Sequence, residues 1–270
     1  MSPVVTRASD GVPVVAYAML DEQGRMLASR NARTVFYAAS TVKLGVILAA
    51  AIAAERGELS LDDTLECHRE FECLGADGVT ETFRLDPEDS DPEFPADGER
   101  ATIRDLVAMM ITRSSNEATN VLFDRLGPAP IAEAFRLCCA QDTRMERRIG
   151  DPCAMRSGLT NESTPADLAA ITRRIVGSGL TTRTNADWMR GVLEAQEHPR
   201  IGSVVPSGTP WGSKSGDVPG VEHDVAFVGP AGSRRFLAIC TRGYEPEQGR
   251  EVIRAVAQAL LTADIEPDTR

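Results

Sequence analysis

Ser40 and Lys43 lie three residues apart, and their side chains could do chemistry together. On a helix this spacing places both side chains on one face. A serine hydroxyl is a poor nucleophile until a neighbouring group takes its proton. A lysine amine can take that proton if burial or a nearby cation lowers its pKa. The pair is therefore a candidate nucleophile and base, and the alternative is that Ser40 only caps a helix.

Lysine usage singles out the same region. The chain contains 29 Lys and Arg residues, and only Lys43 and Lys214 are lysine. Arginine keeps its proton and presents a broad planar group, whereas lysine can lose its proton and acts as a point charge. A sequence that otherwise prefers arginine therefore indicates that an amine or ammonium group is needed at these two positions.

Three short motifs follow one another along the chain. They are Ser-x-x-Lys at residues 40–43, Ser-Ser-Asn at 114–116 and Lys-Ser-Gly at 214–216. In this order they resemble the motifs of the penicillin-recognising serine hydrolases, particularly the class A β-lactamase branch. The resemblance extends to the residues that flank each motif and covers roughly residues 12–262.

The resemblance implies a role for each residue of the first two motifs. Ser40 would be the acylated nucleophile, and Lys43 would be its base or a proton relay. Ser114 would carry the proton to the leaving group. Asn116 would hold amide or amine groups of the substrate.

The third motif and its neighbours are implied to bind the substrate. Lys214 would supply positive potential, and Ser215, with Gly216 beside it, would bind a carboxylate of the substrate. The backbone N–H groups of the nucleophile and of Asp217 would form the oxyanion hole, which stabilises charge that develops only in the tetrahedral state. Trp211, just before the motif, either forms a wall of the pocket or belongs to the core.

Two departures from the family's pattern affect the predicted chemistry. Ser115 occupies the middle position of the second motif, where class A enzymes usually carry Asp. In those enzymes a Glu two residues past an Arg activates the water that removes the acyl group. If Arg147 is that Arg, the corresponding residue is Ile149, which cannot act as a base. Asp151, followed by proline as the family's Glu is, is a candidate deacylation base, and its alternative interpretation is a surface-turn residue.

The elements around the motifs change in kind along the chain. Strand-like segments open and close it, at about residues 12–20, 25–29, 222–228 and 235–241, and helical patterns lie between them. We therefore expect an α/β (α+β) fold of the β-lactamase/transpeptidase-like type, in which an antiparallel sheet is flanked by helices and carries an inserted all-helical domain. The predicted domains are residues 1–38 with 197–270 for the sheet and 39–196 for the helices, with the active site between them.

Composition limits the partners. The net charge of −11 argues against nucleic acid or an anionic membrane, because both require basic surfaces. The apolar runs are interrupted too early for a membrane span, and the six cysteines lack zinc-site spacing. We expect a small-molecule substrate (a β-lactam, amide or ester), no metal or cofactor, and a monomer or weak dimer.

The sequence also predicts the location of the protein and one surface loop. Met1–Val4 show no cationic region followed by a long apolar stretch, so the sequence as given predicts a cytoplasmic protein with reduced thiols. An exported protein whose leader had been removed would look the same. Residues 81–99 are crowded with Asp, Glu and Pro, which predicts a solvated loop.

The primary hypothesis is a serine hydrolase that forms an acyl ester on Ser40. Because the deacylating Glu is missing, two alternatives stay open: an acyltransferase or amidase, or a penicillin-binding-type enzyme with slow deacylation. An alternative from another class is a catalytically silent ligand-binding relative, which retention of the nucleophile and both lysines argues against.

Overall fold

The computed structural model describes residues 4–73, 81–177 and 179–263, so the residues at both ends of the predicted sheet domain lie outside the description. The strands are β1 Val5–Thr6, β2 Ser9–Asp10, β3 Val14–Leu20, β4 Met26–Arg30, β5 Phe36–Tyr37, β6 Thr64–Glu66, β7 Phe71–Glu72, β8 Thr82–Phe83, β9 Arg100–Thr102, β10 Arg144–Met145, β11 Asn161–Ser163, β12 Trp211–Val218, β13 Val221–Val228 and β14 Arg235–Arg242. The helices are α1 Lys43–Glu55, α2 Ile103–Thr112, α3 Asn116–Leu126, α4 Pro128–Leu137, α5 Pro152–Arg156, α6 Pro165–Val176, α7 Arg183–Glu194 and α8 Pro246–Thr262, with 3₁₀ turns at Ala39–Val42 and Gly202–Val204.

A five-stranded antiparallel sheet forms the centre of the molecule, in the order β12-β13-β14-β3-β4. The strands β14 and β3 pair along their lengths, with Ala238 opposite Ala18 and Cys240 opposite Ala16. The first and last parts of the chain therefore share one sheet. The predicted fold class is confirmed, while the division into two domains stays a prediction.

The two faces of this sheet are covered by different helices. Val225 and Phe227 belong to the large cluster that includes α1, whereas Ala226 and Val228 belong to a second cluster with Ile253 of α8. Neighbouring residues of a strand point to opposite faces, which explains this alternation. The sheet is thereby fixed on both sides, and its edge strand β12, which carries the third motif, has a fixed position.

Helix α1 begins at Lys43 of the first motif and is buried along most of its length. Residues 43–53 of α1 are all buried, and its composition is apolar and rich in alanine on every side. A helix that is apolar all round is typical of the interior of a protein. The predicted buried helix is confirmed, but Ser40 itself lies in the 3₁₀ turn before it.

Cys73 and Cys153 form a disulfide with a Cα–Cα distance of 5.6 Å. The expectation of reduced thiols is therefore wrong for this pair, because the fold brings together two cysteines that are 80 residues apart in the sequence. The pair belongs, with Glu81, to a group of side chains that could otherwise hold a metal ion, and the disulfide removes both thiolates from that group.

None of the helices in the described ranges is long and apolar enough to cross a membrane.

Candidate active site

Ser40 lies where the 3₁₀ turn meets the edge strand β12. A Cβ atom added to Gly216 would be 2.7 Å from the backbone nitrogen of Ser40 and 2.8 Å from that of Thr41. Such distances are shorter than real contacts, so β12 can pass this close to the turn only because residue 216 has no side chain. The third motif thus brings its backbone against the candidate nucleophile.

Lys43 is completely buried directly behind this turn. Its Nζ atom donates to the Ser114 carbonyl oxygen (2.8 Å), to Ser114 Oγ (3.1 Å) and to Asn116 Oδ1 (2.7 Å). The first and second motifs are therefore linked by a single amine. The contacts also fix the Asn116 amide, whose Nδ2 donates to the carbonyl oxygen of Asp89 at 2.8 Å.

Ser114 Oγ connects the two lysines of the chain. Lys214 Nζ donates to it at 3.1 Å, the same distance as Lys43 Nζ on the other side, and donates as well to the Ser215 carbonyl oxygen at 2.8 Å. When both amines are protonated, they use the two acceptor lone pairs of this hydroxyl oxygen. A neutral Lys43 has two N–H groups, which the Ser114 carbonyl oxygen and Asn116 Oδ1 accept, and the Ser114 hydroxyl can then donate to the Lys43 lone pair. Ser114 adopts a positive φ of 66°, an uncommon conformation for a residue with a side chain and one that occurs at functional sites.

The surroundings depress the pKa of both amines. Burial, and then the neighbouring Lys214, hold the pKa of Lys43 well below its usual value of 10.5. Burial, opposed by the charge of Asp224 and assisted by that of Arg200, lowers the pKa of Lys214 from 10.5 to about 7. The lowered pKa favours the neutral form of Lys43 that can accept a proton, and Lys214, with a pKa of about 7, is close to its midpoint between charged and neutral at neutral pH.

A cavity of about 420 Å³ opens above these groups. It is lined by Ser40, Glu88, Asp89, Ser90, Asp91, Pro92, Glu93, Arg113, Ser114, Ser115, Asn116, Glu197, His198 and Asp217. A neighbouring cavity of about 390 Å³ contains Ser215 and shares Ser114, His198 and Asp217 with the first. The structure thus brings together at one cleft the predicted residues of all three motifs, with both lysines buried beneath it.

Trp211 lies apart from this cleft. It begins β12 and packs against the second hydrophobic cluster, with its ring against Gly202. Four residues separate it from Ser215, which corresponds to about 13 Å along an extended strand. The structure therefore favours the core interpretation of Trp211 over a wall of the pocket.

Asp151 is completely buried, so the interpretation as a surface-turn residue is wrong. Its Oδ1 accepts from Ala154 N at 2.9 Å, which makes it the N-cap of α5. Two residues earlier, Ile149 N donates to Asn120 Oδ1 (2.8 Å) and Asn120 Nδ2 donates to the Ile149 carbonyl oxygen (3.0 Å). Asn120, four residues after Asn116, thus holds residue 149 by its backbone.

The segment 88–93 of the predicted acidic loop is largely exposed, as a solvated loop should be, and it also forms one wall of the cavity. The segment is held by Glu117, whose buried carboxylate accepts from Ser90 Oγ (2.5 Å), Asp91 N (3.0 Å) and Arg69 Nη1 (3.1 Å). The only sequence signal for these contacts is that Glu117 is an acidic residue directly after the second motif. Its partners lie more than 20 residues away in the sequence, so the sequence alone did not predict the contacts. The positions of Glu197 and His198 in the cavity wall were not predicted for the same reason.

Comparison with known proteins shows the family to which the chain belongs. The sequence model of the beta-lactamase enzyme family matches residues 3–263. The chain belongs to the beta-lactamase enzyme family, and it is a β-lactamase-like serine enzyme of the hydrolase class. No curated protein sequence matches it.

Solved structures with the same fold span nearly the whole chain. A beta-lactamase from Sphaerobacter thermophilus DSM 20745 is 27% identical with a TM-score of 0.77, and covers 93% of this chain and 91% of its own. The class A beta-lactamase from Mycobacterium abscessus is 22% identical with a TM-score of 0.74, and the match covers 93% of this chain and 94% of that enzyme. A point mutant of PBP-A, solved as an acyl-enzyme complex with penicillin G, is 22% identical with a TM-score of 0.73, and the match covers 93% of this chain and 91% of PBP-A.

Proposed function

We propose that this protein opens a β-lactam, amide or ester by forming a covalent acyl ester on Ser40. The observation that carries the proposal is the Ser114 hydroxyl, which lies 3.1 Å from each of two buried amines at the cleft that Ser40 lines. A proton can pass between Ser114 and either amine because each amine is within hydrogen-bond distance of the Ser114 hydroxyl, and we propose that Ser40 delivers its proton to this array through Lys43.

The reaction begins when Ser40 Oγ bonds to the carbonyl carbon and its proton moves to the neutral amine of Lys43. The negative charge that develops on the carbonyl oxygen is stabilised by the backbone N–H groups of Ser40 and Asp217. As the tetrahedral species collapses, the bond to the leaving nitrogen or oxygen breaks, and that atom takes the proton of Ser114 Oγ. Lys43, which gained a proton in the first step, restores the proton of Ser114 through their 3.1 Å contact.

We further propose that deacylation is slow, as in a penicillin-binding-type enzyme. Ile149, at the loop position implied for the water-activating Glu, offers no base, and its backbone is fixed by Asn120. Asp151 stays a candidate base, but its Oδ1 is engaged as the cap of α5. A mutant of the similar protein PBP-A was solved as an acyl-enzyme complex with penicillin G, which supports the acylation step of the proposal.

Intact-protein mass spectrometry after incubation with penicillin G or a fluorophosphonate tests the proposal. We expect a single adduct that peptide mapping assigns to Ser40, and its loss in Ser40→Ala. Ser29→Ala, an exposed serine on β4, is the matched control and should be labelled like the wild type. No adduct with any acyl donor, or unchanged labelling of Ser40→Ala, would contradict acyl-serine chemistry.

An acyltransferase or amidase is favoured as the second candidate by the same Ile149. A long-lived acyl ester can be resolved by an amine instead of water. Added amines should then increase turnover and yield the amide product. A rate that is the same across a series of amines would exclude this candidate.

A further inference from the structure

A further cavity, of about 510 Å³, is lined by described residues other than those of the catalytic cleft. It is formed by the turn between β1 and β2, the segment around α5 and the end of β12. Tyr37, three residues before Ser40, lines it, and so does Val218, which directly follows Asp217. Cavities of this volume hold small organic ligands. The cavity is therefore a candidate binding site separate from the active site.

Most of the wall of this cavity is apolar. The aliphatic side chains that line it are those of Ala8, Met155, Leu159, Val218 and Pro219. The ring of Tyr37 adds an aromatic surface, and the guanidinium carbon of Arg147 lies 5.7 Å from the centre of that ring. Such a wall favours a ligand with an apolar body.

The charged groups of the wall are all positive. Arg7, Arg147 and Arg156 line the cavity, and no carboxylate does within the described parts of the chain. Arg156 pairs with Glu81 at 3.2 Å. Among the described residues, no salt bridge engages Arg7 or Arg147. In a chain with a net charge of −11, a positive cavity of this kind indicates an anionic ligand.

Arg147 is the buried member of the three, with 4% of the residue exposed. Its Nη1 donates to the Arg148 carbonyl oxygen at 3.2 Å, and its Nη2 donates to the Tyr37 hydroxyl at 3.1 Å. A guanidinium has five N–H groups, so three of them lack an acceptor among the described residues, including the fully buried Nε–H. A buried charge is costly unless a counter-charge and acceptors compensate it. An anion in the cavity would supply both.

We propose that this cavity binds a small carboxylate with an aromatic or aliphatic body. The carboxylate accepts hydrogen bonds from the guanidinium of Arg147, whose planar N–H groups match its two oxygens. The body packs against the apolar wall. A single negative charge balances the single buried guanidinium, whereas a second one would remain uncompensated beside apolar side chains. The proposal does not depend on the acylation of Ser40.

Calorimetric titration of the purified protein with three compounds tests the proposal. They are β-naphthylacetate, its amide, which keeps the body and loses the charge, and acetate, which keeps the charge and loses the body. We expect β-naphthylacetate to bind at one site. The amide and acetate should each bind about 10-fold or more weakly, since a buried hydrogen bond to a charged group and the burial of two rings are each worth at least this much.

Two variants identify the place of binding. Arg147→Gln removes the buried charge, and Ala8→Phe fills part of the cavity without changing a hydrogen-bonding group of Arg147. Both should weaken the binding of β-naphthylacetate by about 10-fold or more. Arg250→Gln is the matched control, because it removes an arginine that lines the cavity with Ser215, and it should bind the compound like wild type.

Absence of β-naphthylacetate binding to folded wild type would overturn the inference, and so would equal affinity for the amide. Wild-type affinity in Ala8→Phe would overturn it as well. Binding that is lost in Arg250→Gln and kept in Arg147→Gln would place the carboxylate in the catalytic cleft instead. Thermal melts show which variants are folded, and if Arg147→Gln is not, Ala8→Phe decides because it leaves Arg147 in place.

Discussion

Lys43 and Lys214 have different tasks although both contact Ser114 Oγ at 3.1 Å. Lys43 must accept a proton, whereas Lys214 must supply a positive charge and a hydrogen bond. Arginine preserves charge but does not release a proton, so the same substitution separates the two tasks.

We expect Lys43→Arg to lower the acylation rate by about 10²-fold or more, the usual effect of removing a general base. Lys214→Arg should have a smaller effect because the positive charge is retained. Acylation rates with one probe, measured alongside thermal melts, check both. If Lys43→Arg reacts near the wild-type rate while Lys214→Arg does not, the two tasks have been assigned the wrong way round.

The pH dependence of acylation follows from the same two amines. Lys43 reacts in its neutral form, and because its pKa is well below 10.5, the rate should fall as the pH is lowered and Lys43 becomes protonated. Lys214 acts in its charged form with a pKa of about 7, so the rate should fall again as the pH rises through this value. We expect a bell-shaped profile whose alkaline limb is absent in Lys214→Arg. An alkaline limb that persists in that variant would contradict the role of Lys214.

The edge strand β12 and the 3₁₀ turn of Ser40 are held at a distance that only glycine permits. A methyl group at residue 216 would contact the backbone nitrogens of Ser40 and Thr41 at 2.7 and 2.8 Å, so Gly216→Ala must move the strand and the turn apart. Because the oxyanion donors belong to these two elements, we expect acylation to fall by about 10²-fold, as when one oxyanion donor is lost.

The matched control for that variant is Gly191→Ala in α7, where an added methyl group meets nothing within 4 Å. It should acylate at the wild-type rate. Equal rates for the two variants would show that the close approach at Gly216 does not serve the reaction.

The loop that Asn120 fixes through Ile149 allows a gain of function to be tested. In Ile149→Glu a carboxylate would stand at the position that family resemblance implies for the deacylating base. We expect the acyl-enzyme with penicillin G to decay about 10²-fold or more faster than in wild type, the lower range for a positioned base. Ile149→Gln has the same shape without a base and should decay at the wild-type rate. If the acyl-enzyme decays faster in both variants, the cause is the altered loop and not the added base.

Sequence reasoning found the elements whose signal is local. The three motifs, the buried helix α1 and the long strands of the sheet could be predicted from residue types and spacing. The cavity wall formed by residues 88–93, the Asp217–Arg200 ion pair and the Cys73–Cys153 disulfide could not, because each joins segments that only the folded chain brings together. The sequence does not decide the place of Trp211 either, since a half-apolar ring beside a motif fits a pocket as well as a core.

At the scale of the whole molecule, the disulfide closes a loop of 80 residues that contains the second motif. By restricting the unfolded chain, a disulfide of this kind stabilises a protein by about 2–4 kcal/mol. We expect the double variant Cys73→Ser/Cys153→Ser, or wild type in reductant, to melt at a clearly lower temperature. Cys139→Ser, at an exposed free cysteine, is the control and should melt like wild type.

A melt of the wild type that is unaffected by reductant would contradict a stabilising role for this disulfide. The cytoplasmic location stays a prediction, and the disulfide counts against it because the cytosol keeps most thiols reduced.

The pairing of β3 with β14 also has a consequence for the order of events during synthesis. Roughly 200 residues separate the two strands, so at about 5–20 residues per second β3 leaves the ribosome roughly 10 to 40 s before its partner exists. Until then one edge of β3 is an unpaired template to which other strands can add. A nascent chain halted before Arg235 would therefore lack the strand that covers this edge, and we expect such truncated chains to aggregate or to require a chaperone rather than to fold into a smaller native unit.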